Sequence, residues 1–116
     1  MPEQVRHNEE HRRWASEKIV ALAGSILSGD AGIAEGSRQL AAWRFDVGAE
    51  NDPDFLFFVG VASETDDLPI GPARQHWNPD ALRVKDAELA AYEAKVEEKA
   101  FEVCRSLIQK YDIRES

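Results

Sequence analysis

The chain contains a single cysteine, Cys104. One thiol can form neither an internal disulfide nor a cysteine cluster for zinc, which agrees with a reducing compartment and leaves redox chemistry without support. Long apolar runs are missing too. No stretch approaches the ~20 consecutive apolar residues that a membrane span needs, and the opening MPEQVRHNEEHRRWASEK lacks the apolar core of a signal peptide. The expected address is therefore the cytoplasm, with no membrane partner. Basic residues are scarce: 14 Lys and Arg stand against 22 Asp and Glu, a net charge of −8. Such a surface repels nucleic acid and anionic lipid, so nucleic acid is not an expected partner. Internal repeats and low-complexity tracts are absent as well.

What remains is the composition of an ordinary folded protein. Hydrophobic residues make up 43% and charged residues 31% of 116 residues, enough for one hydrophobic core and too few residues for two. A single domain, residues 1–116, is expected, with the first eight residues fraying as chain ends commonly do. The charge is unevenly spread. Residues 1–29 are neutral, whereas residues 30–67 carry nine acids against only Arg38 and Arg44, a balance of −7. A solvated acidic surface accounts for such a cluster. So does a docking surface for a basic partner.

The periodicity is helical. Between residues 9 and 27, Trp14, Ile19, Leu22, Ala23, Ile26 and Leu27 recur at threes and fours, which marks one face of a helix that SGD then stops at Gly29. The segment GIAEGSRQLAAWRFDVG places Ile33, Leu40, Trp43 and Val47 along one side and ends at Gly48, so the two segments form a helical hairpin. Gly36 within the second is a poor helix former and implies close packing or a break. Asp52, Pro53 and Asp54 make a helix start: a capping side chain, a proline without the unneeded N–H, and an acid at the positive end of the dipole. The run FLFFVGVA that follows also suits a buried strand, because a fully apolar stretch has no period to read. A buried helix is preferred, since a lone strand would have no partner strand elsewhere in the chain. Residues 63–77, SETDDLPIGPARQHW, have no sustained period and read as a long irregular loop of the kind that carries function or mobility. Asn78 and Pro79 restart a helix. A last helix follows from DAEL to QKYD, with Cys104 and Ile108 widening its apolar stripe. The expected fold is all-α: a small bundle of four to five helices with the long loop before the last two.

Two places could carry chemistry. His7 to His11 spells HNEEH, the His-x-x-Glu-His text of inverted zinc proteases. On a helix the two imidazoles would share a face and could hold an adventitious zinc or nickel ion. A peptidase also needs a third ligand from a distant segment and a cleft around it, for which a chain of this size has little room. Two solvated histidines at a helix start are the plainer account. In the 63–77 loop, Glu64, Asp66 and Asp67 could bind a cation, while Arg74, His76 and Trp77 offer an anion-binding group, a titratable ring and a stacking surface. Their spacing matches no calcium loop, phosphate loop or triad, and Trp77 can equally pack beside the Asn78 cap. Ser25, Ser28 and Ser37 lack an adjacent base. Trp43 and Phe45 straddle Arg44; if they face opposite ways, one belongs to the core and the other to the surface.

The hairpin ILSGDAGIAEGSRQLAAWRFDVG, the acidic centre and the long closing helix together resemble small bacterial proteins of the toxin-immunity type. That resemblance implies an all-helical fold, no catalysis, no cofactor and a tight protein partner, often a basic nuclease toxin. The charge distribution independently favours a non-enzymatic binding protein whose contacts are Asp52, Asp54, Glu64, Asp66 and Asp67, with Trp43 or Trp77 as apolar anchor. The alternatives are a small metal-dependent hydrolase using His7 and His11 or the loop around His76, and a self-associating helical protein. Monomer and homodimer are both open.

Overall fold

In the computed structural model, which describes residues 2–112 and side chains from residue 8 onward, 79% of the chain is helical. Each boundary has a local cause. Helix α1, Pro2–Ser28, stops where Gly29 adopts a positive φ of 86°, a conformation that glycine enters without steric cost. Helix α2, Ile33–Trp43, runs into a series of turns that closes at Gly48, φ 66°. Helix α3, Pro53–Glu64, begins at Asp52, whose side chain accepts a hydrogen bond from the Asp54 N–H at 2.9 Å. The apolar run 55–62 is therefore helix, not strand.

A six-residue 3₁₀ helix, Gly71–His76, occupies part of the expected loop. Helix α4 then spans 33 residues, Pro79–Tyr111, with Asn78 accepting from the Asp80 N–H at 2.8 Å. The two helical segments expected after the loop are one helix, because LRVKDAELAA between them contains neither proline nor glycine to interrupt it. At ~1.5 Å per residue this helix is about 50 Å long, close to the 56 Å long axis of the molecule.

Helix α1 packs mainly against α4, and α2 mainly against α3. Ile19, Ala23 and Ile26 from α1, Leu40 from α2, Phe55, Phe58 and Val61 from α3, and Ala100, Val103, Cys104 and Leu107 from α4 form one buried cluster. Cys104 is a small apolar core residue, as its place in the stripe implies. Two of the three buried hydroxyl residues, Ser37 and Thr65, satisfy themselves locally: Ser37 donates to the Ile33 carbonyl at 2.6 Å and Thr65 to the Val61 carbonyl at 2.8 Å.

One expected core residue lies elsewhere. Trp14 is 46% exposed. It stands a turn before the buried part of α1 and turns toward α2, stacking on His11 with ring centroids 5.5 Å apart. Of the first eight residues, expected to fray, residues 2–8 belong to α1, and Met1 and the side chains before Asn8 lie outside the described residues.

Candidate functional site

The nine acids of the middle segment have separate fates. Asp52 and Asp54 sit at the start of α3 facing the end of α4, where Lys110 Nζ lies 3.2 Å from Asp52 Oδ2 and 2.8 Å from Asp54 Oδ2. Ser106 also donates to Asp54, at 2.6 Å. Burial raises the Asp54 pKa, but the hydrogen bonds from Lys110 and Ser106 outweigh it and hold the carboxyl below its ordinary value. Asp46 lies 2.7 Å from His11 Nε2. Glu64 faces the Tyr92 hydroxyl, whose pKa is pushed up to about 12 by burial and by that carboxylate. Asp66 and Asp67 are exposed and have no ion-pair partner among the described residues.

Neither base of the segment forms an ion pair with these acids. Arg38 Nη2 donates to the Thr65 carbonyl at 2.6 Å and more weakly to that of Leu68 at 3.5 Å, tying α2 to the end of α3. Arg44 donates to the Ala41 carbonyl and lies 4.1 Å from the Phe45 ring. The Arg38 guanidinium thus lies within the turn after α3 but on its carbonyls, and Asp66 and Asp67 make no direct ion pair among the described residues.

In the loop, Arg74 is bound by both carboxylate oxygens of Asp86 on α4, at 2.5 and 2.9 Å. Its guanidinium fastens the 3₁₀ helix to α4. His76 is exposed, and Trp77 is half-buried beside the Asn78 cap. The loop therefore does not gather Glu64, Arg74, His76 and Trp77 around one point.

The HNEEH text lies on α1. His11 is held between Asp46 and the Trp14 ring, while the His7 side chain lies outside the described residues. Among the described residues, no three His, Cys, Asp or Glu side chains converge as metal ligands. Likewise, no described helix is long and apolar enough to cross a membrane.

One surface feature went unrecognised in the sequence. An open groove of about 490 Å³ runs between α1 and α2, walled by Trp14, Leu22 and Trp43, with Gly36 along its floor and Lys18, Glu35 and Gln39 at its edges. Trp43 packs partly against the core while Phe45, two residues on, is 59% exposed. The two aromatics do face different ways, and Trp43 is the one that lines the groove. The signal was present in part: Trp14, Lys18 and Leu22 recur at intervals of four, whereas the close approach of α2 to Ile26 at Gly36 is a tertiary feature. A Cβ at Gly36 would stand 2.6 Å from Ile26 Cδ1.

Compared with known protein families, curated proteins and solved structures, the chain gives no match.

Proposed function

We propose that this protein is a non-enzymatic binding protein that docks on a basic protein partner through its acidic middle segment. The observation that carries this reading is that Asp66 and Asp67 are exposed and make no ion pair among the described residues, Arg38 and Arg44 donating to backbone carbonyls and not to these carboxylates. Fixed acids of this kind raise the rate of encounter with a positively charged surface and suppress wrong partners. Asp52 and Asp54, tied to Lys110, add to the field more than to direct contact. Asp66 and Asp67, with Glu64 beside them, are the contact residues.

An inhibitor that occupies the basic, phosphate-binding groove of a nuclease toxin is the form of this function that the resemblance to immunity proteins suggests, and the negative surface suits it. A cytoplasmic address agrees with the reduced, buried thiol of Cys104. The hydrolase alternatives draw no specific support from the arrangement, since His11 is held by Asp46 and Arg74 by Asp86.

The test is gentle purification from the native cells followed by an intact native mass spectrum. A stoichiometric basic protein is expected with the wild type. The variant carrying Asp66→Lys and Asp67→Lys should then associate with that purified partner at least about tenfold more slowly at low salt, with a shallower salt dependence. Unchanged affinity and salt dependence in the variant would refute the reading.

A further inference from the structure

We draw no further inference here: the strongest candidate, the open groove between α1 and α2 walled by Trp14, Leu22 and Trp43, carries none because its rim holds one lysine and one glutamate, Lys18 and Glu35, and nothing in the structure shows what covers it.

Discussion

The carboxylate of Glu93 on α4 accepts a hydrogen bond from the Ala34 N–H at 2.9 Å and so caps helix α2 across 59 residues of sequence. Helix α2 has Gly32 at its own N-cap position and no side-chain cap from within, so an orphan donor at its first turn is satisfied from a neighbouring helix. Glu93→Ala is expected to lower stability by about 1 kcal/mol, the usual worth of a capping group. Glu93→Gln, which keeps an acceptor, should lose less. Urea midpoints of the three proteins check this, and identical midpoints would remove Glu93 from the account of α2.

Gly36 sets how closely α1 and α2 approach. Alanine there gains about 1 kcal/mol of helix propensity but forces Ile26, which is 1% exposed, to move within a closed core, at a cost of about 1–3 kcal/mol. The net expectation for Gly36→Ala is a loss of up to about 2 kcal/mol. In an Ile26→Ala background the same change should be neutral or stabilising. A double-mutant cycle by urea unfolding measures the coupling, and simple additivity would contradict the contact.

The junction of Asp54 and Lys110 makes stability depend on pH in a defined direction. Asp54 is held below its ordinary 3.8 despite burial. Its contribution is present above that value and is lost as pH falls through the lower, folded-state pKa. Lys110 is raised above its ordinary 10.5, chiefly by its hydrogen bond to Asp54. Its contribution is complete below that value and disappears as pH rises through the higher, folded-state pKa. Asp54→Asn should cost less than about 1 kcal/mol at neutral pH, and its stability curve should converge with the wild type below about pH 4. A gap that stays constant into acid, followed by urea midpoint against pH, would show that the pair does not carry this dependence.

Cys104 is fully buried, and burial pushes its thiol up to about 11. Thiolate is the reactive form. Labelling of the folded protein by a disulfide reagent at neutral pH is expected to be at least about a hundredfold slower than that of free cysteine, and to reach the free rate beyond the urea midpoint. Rapid labelling without denaturant would mean that α4 does not stay packed.

Several features were legible from sequence because they are local. The caps at Asp52 and Asn78 act within two residues, the stop at Gly29 depends on a single backbone conformation, and the apolar stripes of α1 and α4 follow from helical spacing, whereas the second helix, expected to reach Gly48, ends at Trp43. Among the candidate contacts, Trp43 proved to line a groove, whereas Asp52 and Asp54 are drawn into an ion pair. Nothing in their spacing distinguished them from Asp66 and Asp67.

The sequence by itself determined an all-helical chain with an acidic centre, since helix periodicity, capping and net charge are properties of neighbouring residues or of simple sums. Tertiary structure alone decided which acids remain exposed and where Trp14 points. Those outcomes depend on groups far apart in sequence: Lys110 finds Asp52 58 residues away, and Trp14 meets the groove through its approach to α2. A charge or an aromatic ring has a local identity, but whether it is neutralised, buried or presented is settled by what the folded chain places beside it.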